Sequence, residues 1–143
     1  MSLGFVSADV GEHPAGLFLI RTLENLDLRC FRIACYSDRT ANDEVTARFR
    51  AVSAVWRDVF GITHEQLAEQ IRKDRVDILF DLSGHSGRNR LLVFARKPAP
   101  VQITWIGYEG TTGLGAMDYI LADPRVIPPE AEHSYSERVL RLP

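Results

Sequence analysis

Cysteine is scarce in this chain, with Cys30 and Cys35 the only two among 143 residues. Two thiols cannot build a disulfide scaffold, and they suit a reducing compartment, so the expected location is the cytoplasm. No apolar run approaches the ~20 residues of a transmembrane helix. Basic charge is not in surplus either: 17 Lys and Arg stand against 19 Asp and Glu, a net charge of -2. That balance argues against nucleic-acid binding by bulk charge. Strand-like sequence starts at Leu3, with no charged region, apolar stretch or cleavage site of a secretory signal before it. Met1-Ser2 reads as a cloning scar, and the chain as a piece of a longer protein. What is plentiful is apolar side chain, 45% of the residues, enough for one buried core in a single domain spanning 1–143.

Apolar runs alternate with helical periodicity along the whole chain. Leu3–Ala8 reads as a strand. Pro14–Leu26 reads as a helix, with Pro14 at the first position, where its missing N–H costs nothing. Phe18 and Leu19 widen that helix's apolar arc, so it should be covered on more than one side. A strand over Cys30–Tyr36 and a helix over Ala41–Val52 follow, then a short strand at Val55-Trp56. Thr63-His64-Glu65-Gln66 is a capping box opening a third helix. Asp77–Leu82 is a strand, Arg88–Arg96 a helix ended by Pro98, and Val101–Ile106 and Tyr119–Ala122 are strands. Both cysteines read as core. The alternation predicts an α/β fold, a parallel sheet layered between helices in a Rossmann-like or flavodoxin-like order. Such sheets bind ligands beyond the carboxyl ends of their strands.

Three loops should meet there: Asp9–Pro14, Ser83–Gly87 and Gly107–Gly115. His13 precedes a helix N-terminus, which favours a neutral ring able both to donate and to accept. His85 is a second candidate, while His64 and His133 read as solvated. The glycines at 107, 110, 113 and 115 permit close backbone approach, and Thr111 and Thr112 add hydroxyls. Several chemistries are disfavoured. No G-x-G-x-x-G follows the first strand, and no Walker lysine or G-x-S-x-G elbow is present. The histidines and cysteines lack metal-ligand spacing. A receiver-type acidic pocket from Asp9 and Asp81 would want a lysine where Ile106-Gly107 stands.

The loops also carry a resemblance. Leu3-Gly-Phe-Val-Ser-Ala-Asp9 with Gly11-x-His-Pro14, Asp81-Leu-Ser-Gly-His85, Arg96-Lys-Pro-Ala-Pro-Val-Gln102, Trp105-Ile-Gly-Tyr-x-Gly-Thr-Thr-Gly113 and Tyr135-Ser-Glu-Arg138 occur in order. The chain resembles the first catalytic lobe of the O-linked N-acetylglucosamine transferase and SPINDLY glycosyltransferases, family 41. The resemblance implies a GT-B enzyme that transfers a sugar from a UDP-sugar to protein Ser or Thr with inversion and no metal or other cofactor. It implies tetratricopeptide repeats upstream and a nucleotide-binding lobe downstream. By the same resemblance His13 is the catalytic candidate. Pro14, Ala15, His85, Ile106, Gly107, Tyr108, Thr111, Thr112 and Gly113 are expected to line the donor-sugar and acceptor side. Two departures stand out: Glu109 replaces the family's usual Pro, and Ala15 replaces a threonine. His85 matches the plant SPINDLY branch, which moves fucose, so the donor sugar stays open among N-acetylglucosamine, fucose and glucose. The competing expectation is a non-catalytic Rossmann-like binding module.

Overall fold

A computed structural model describes all residues from Met1 to Pro143. Seven parallel strands form one sheet: β1 (Ser2–Ser7), β2 (Arg32–Ser37), β3 (Val55–Asp58), β4 (Ile78–Asp81), β5 (Val101–Trp105), β6 (Tyr119–Ala122) and β7 (Arg138–Arg141). Their order is β3-β2-β1-β4-β5-β6-β7. That is the Rossmann order with a strand added, so the flavodoxin-like alternative falls away. The chain reverses direction across the sheet between β1 and β4, and the crevice at their carboxyl ends is the place such sheets offer a ligand.

Four helices connect the strands: α1 (Pro14–Glu24), α2 (Glu44–Val52), α3 (His64–Asp74) and the single turn α4 (Leu91–Phe94). Helices α1 and α2 share one face of the sheet, where Leu19, Leu23 and Phe49 pack on Phe5 and Ile33. Helices α3 and α4 share the other, where Leu67, Ile71 and Phe94 pack on Val6, Tyr36 and Leu79. The caps explain where the helices start. Asp43 accepts from the Thr46 N–H at 2.8 Å. Thr63 and Gln66 form the expected capping box, with bonds of 2.9 and 3.2 Å.

Several expectations are corrected. The helix expected over Arg88–Arg96 shrinks to Leu91–Phe94 because Arg88 turns left-handed, with φ 61°, and Asn89 Oδ1 takes the Leu91 N–H. Arg90 is drawn inward instead. Its guanidinium pairs with the Asp38 carboxylate at 3.0 Å and donates to the Val59 and Ile62 carbonyls. Strand β7 and the 3-10 helix Pro129–Ser134 have no expected counterpart. Cys35 is buried as expected, whereas Cys30 lies exposed in the turn before β2. Helix α1 is covered on one side only, and Phe18 is 60% exposed. His64 is half-buried, its Nδ1 without a partner. Burial, aided by the charges of Arg90 and Arg96, lowers its pKa.

Candidate functional site

The β1, β4 and β5 strands are adjacent and parallel, so the three glycine-bearing loops open on one edge of the sheet. The β1 loop is the tightest. Asp9 N–H donates to Ser7 Oγ at 2.9 Å, and the Asp9 and Gly11 carbonyls accept from Gly11 and His13 at 2.8 Å. Glu12 N–H donates to the Asp43 carboxylate at 2.9 Å. That amide and the Thr46 N–H hold the Asp43 carboxyl below the usual range. Gly16 lets α1 press against this loop, since a Cβ there would stand 2.3 Å from the Gly11 carbonyl oxygen.

His13 caps α1, with its Nδ1 accepting the Ala15 N–H at 3.3 Å. An Nδ1 that accepts is deprotonated, so the neutral ring carries its proton on Nε2. The ring is exposed and Nε2 makes no bond within the chain, which leaves an N–H donor for a ligand. The Asp9 carboxylate lies 3.9 Å from Nδ1. Pro14 is exposed beside it. Ala15 is buried, and its amide N–H is taken by His13 Nδ1.

In the β4 loop, Asp81 is 1% exposed and accepts from Gly84 N–H (2.9 Å), Thr104 Oγ1 (2.9 Å) and Ser83 N–H (3.2 Å). Burial pushes its carboxyl up, and those bonds offset the push only in part. Asp81 thus pins Ser83-Gly84 and sets up His85. His85 Nε2 lies 3.0 Å from the Thr112 carbonyl oxygen, which only accepts, so Nε2 is the donor. Nδ1 of the neutral ring is then the free acceptor. The two rim histidines therefore offer a ligand opposite polarities.

In the β5 loop, Ile106 holds φ 76°, a left-handed conformation that a β-branched residue adopts only under strain. The next residue has to be glycine, because a Cβ on Gly107 would stand 1.8 Å from the Leu82 carbonyl oxygen. Strand β5 therefore ends one residue earlier than expected, with its last backbone groups turned by strain. Tyr108 packs edge-on to His85, ring centroids 5.5 Å apart.

Thr111 and Thr112 are not free hydroxyls. Glu137, 4% exposed, takes the Thr111 hydroxyl and the Thr112 N–H at 2.7 Å each, and the Thr112 hydroxyl as well. Burial pushes the Glu137 carboxyl up, but the Thr112 and Thr111 bonds overcome it and leave the pKa lowered. Tyr135 Oη adds a bond to the Glu109 carbonyl at 3.0 Å. The Tyr135–Glu137 segment thus clamps the whole loop, and Gly113, with φ 70°, is left exposed at its end. Residue chemistry alone gives Glu137 no role. Its only sequence signal is its place in the Tyr135-Ser-Glu-Arg138 run.

An apolar groove of about 270 Å³ adjoins this rim at Trp105, Ile106 and Tyr108. A larger hollow of about 590 Å³ beside Trp56, Arg57 and Lys73 contains none of the three loops' residues. No three His, Cys, Asp or Glu side chains come together as a metal-ligating set. No helix is long and apolar enough to cross a membrane.

The family model for "Glycosyl transferase family 41" matches residues 1–143. The chain belongs to glycosyltransferase family 41. Among its relatives is the tomato protein named "Probable UDP-N-acetylglucosamine--peptide N-acetylglucosaminyltransferase SPINDLY", 39% identical over 99% of this chain and 16% of the relative. The Arabidopsis thaliana SPINDLY protein is 37% identical over 100% of this chain and 16% of its own length, and the SEC protein of the same plant 31% identical over 100% and 15%. A solved variant of the Thermobaculum terrenum O-GlcNAc transferase is 44% identical, with a TM-score of 0.96 over 99% of this chain and 27% of that one. The chain thus spans about 16% of the length of the curated relatives it matches. Within family 41, it is a Rossmann-like α/β unit with the site loops on one rim.

Proposed function

We propose that this chain is the donor-sugar- and acceptor-facing lobe of an inverting protein O-glycosyltransferase. It belongs to a polypeptide that moves a sugar from a UDP-sugar, in the first place UDP-N-acetylglucosamine, to Ser or Thr hydroxyls. The observation that carries this reading is the 44% identity with an O-GlcNAc transferase over 99% of the chain, the span that holds all three rim loops. The names of the plant relatives support the same donor.

In the reaction the acceptor hydroxyl oxygen forms a bond to the anomeric carbon. The bond from that carbon to the diphosphate breaks, and its electron pair leaves on the phosphate oxygen. The hydroxyl proton is lost to a base. Much of the acceleration comes from alignment and fixed dipoles. His13 supplies an Nε2–H donor to an oxygen of donor or acceptor. The strained Ile106-Gly107 backbone, Tyr108 and the clamped Thr111–Gly113 segment form the sugar wall. His85 offers an acceptor to a sugar hydroxyl, and Pro14 and Ala15 complete the His13 side. No metal or other cofactor enters this scheme. The diphosphate is held by a second lobe, protein substrates are delivered by helical repeats of the same polypeptide, and the enzyme works in the cytoplasm.

The test is nucleoside diphosphate release by the complete polypeptide with a serine peptide. His13→Ala lowers kcat/KM more than tenfold, a barrier increase of at least about 1.4 kcal/mol. Full activity in that variant refutes the site assignment.

A further inference from the structure

The β4 loop reaches along the rim in two directions. His85 turns toward β5, with its Nε2 on the Thr112 carbonyl. Arg88, three residues on, turns the other way, toward the ends of β2 and β3. Its Nη2 donates to the carbonyl of Asp38, the residue directly after β2. Its guanidinium lies over the ring of Phe60, in the turn after β3, 5.3 Å from the centroid. The rim therefore continues past the three glycine-bearing loops, over the carboxyl ends of β2 and β3.

Arg88 is exposed, and its charge has no carboxylate partner in the chain. Arg90 takes both Asp38 carboxylate oxygens at 3.0 Å, and only the Asp38 carbonyl is left for Arg88. Two guanidiniums thus share one carboxylate. The neighbouring Arg39 is closed on Asp43 at 2.7 Å. Phe60 is 58% exposed, an aromatic face open to solvent. The backbone is strained to place this arginine. The left-handed φ of 61° falls on Arg88 and not on the adjacent Gly87, which would adopt it at no steric cost. A guanidinium fixed at one edge by a carbonyl and steadied on a ring holds its remaining N–H groups ready for a carboxylate. Here Nε and Nη1 make no bond within the chain.

We propose that Arg88, steadied by Phe60, is a specificity-determining residue of the acceptor site and pairs with an acidic side chain, Asp or Glu, of the protein substrate. This rests on the glycosyltransferase reading and adds to it which acceptors are favoured. Position favours the acceptor over the donor. The wall assigned to the sugar, from Ile106 to Gly113, lies on the β5 side of His85, and the Arg88 side chain lies on the opposite side. Three virtual bonds of ~3.8 Å put the Arg88 Cα within ~11 Å of the His85 Cα. An extended peptide rising ~3.3 Å per residue covers that distance in about three residues. The acidic residue that Arg88 reads therefore stands within about four positions of the acceptor Ser or Thr. An ion pair at such a rim contributes modestly and is screened by salt.

The test uses the complete polypeptide and a serine peptide with Gln at its flanking positions, changed one at a time to Glu over four positions on either side. The ratio of kcat/KM for each Glu peptide to the Gln parent is measured with UDP-N-acetylglucosamine or whichever nucleotide sugar the enzyme accepts. One position is expected to give a ratio of about five, carried in KM and falling toward one in about 0.5 M salt. Arg88→Met brings that ratio to about one, Arg88→Lys keeps part of it, and Arg88→Glu passes the preference to a peptide with Lys at the same position. A ratio between two peptides is unaffected by partial loss of folded enzyme. Transfer to the Gln peptide with no Glu preference at any position overturns the proposal alone. So does a preference that survives in Arg88→Met. An Arg88→Met effect confined to the KM of the nucleotide sugar also overturns it, and puts the diphosphate at this arginine instead. No transfer to any peptide from any nucleotide sugar overturns the glycosyltransferase reading, and this proposal with it.

Discussion

Replacing Glu137 with Gln separates the clamp on the β5 loop from the rest of the fold. The carboxylate accepts the Thr112 N–H, the Thr111 hydroxyl and the Thr112 hydroxyl from a buried position. Glutamine keeps the shape but has one acceptor oxygen, and it brings an NH₂ toward groups that donate. Charge-assisted bonds contribute about 1.5–3 kcal/mol each and neutral ones about 0.5–1.5, while the hydroxyls are able to rotate and recover part of the loss. The net cost is about 2 kcal/mol, and for a domain of this size that lowers Tm by roughly 6–8 °C. The pH dependence carries a sign. The Glu137 pKa is lowered from 4.5, so the folded state favours the carboxylate. Its contribution is fully present above the unfolded value and is lost as pH falls through the lower folded value. Thermal unfolding followed by circular dichroism should show the full gap between wild type and Glu137→Gln at neutral pH, closing below about pH 4.5. A Tm difference under about 1 °C, or a gap unchanged into acid, refutes the clamp.

The Arg90–Asp38 pair is buried and also fastens the β3–α3 loop through the Val59 and Ile62 carbonyls. Arg90→Met strands the carboxylate, and chemical denaturation should report a loss of about 3–5 kcal/mol; a loss under about 1 kcal/mol contradicts the pairing. Calorimetry of the 143-residue chain with a millimolar nucleotide sugar should show no binding heat, because the diphosphate site is assigned to another lobe. Tight binding would place that site here.

The periodicity of this sequence reveals the sheet because β1 and β4 are short apolar runs set apart from the amphipathic helices α1 and α3. It fails where long-range bonds decide the backbone. Arg90 leaves the helical pattern to reach Asp38, 52 residues away in the chain. Strand β7 is only Arg138-Val-Leu-Arg141, with its two apolar residues adjacent, so no alternation marks it. At the candidate site, the meeting of the His13, His85 and glycine-rich loops on one rim was legible from their place at strand ends. The strain at Ile106 was not, since nothing local in an isoleucine announces φ 76°. Nor was the occupation of the Thr111 and Thr112 hydroxyls by Glu137, a contact across 25 or 26 residues. Phe18 widens the apolar arc of α1, but the second cover expected from it is not there, and Phe18 is 60% exposed.

The most direct measurement is the mass of a serine-containing peptide after incubation with the complete polypeptide, UDP-N-acetylglucosamine and EDTA. The expected product is a peptide carrying one N-acetylhexosamine on a hydroxyl, with the yield collapsing in His13→Ala. An unmodified peptide with UDP-N-acetylglucosamine and with every other nucleotide sugar offered would contradict it.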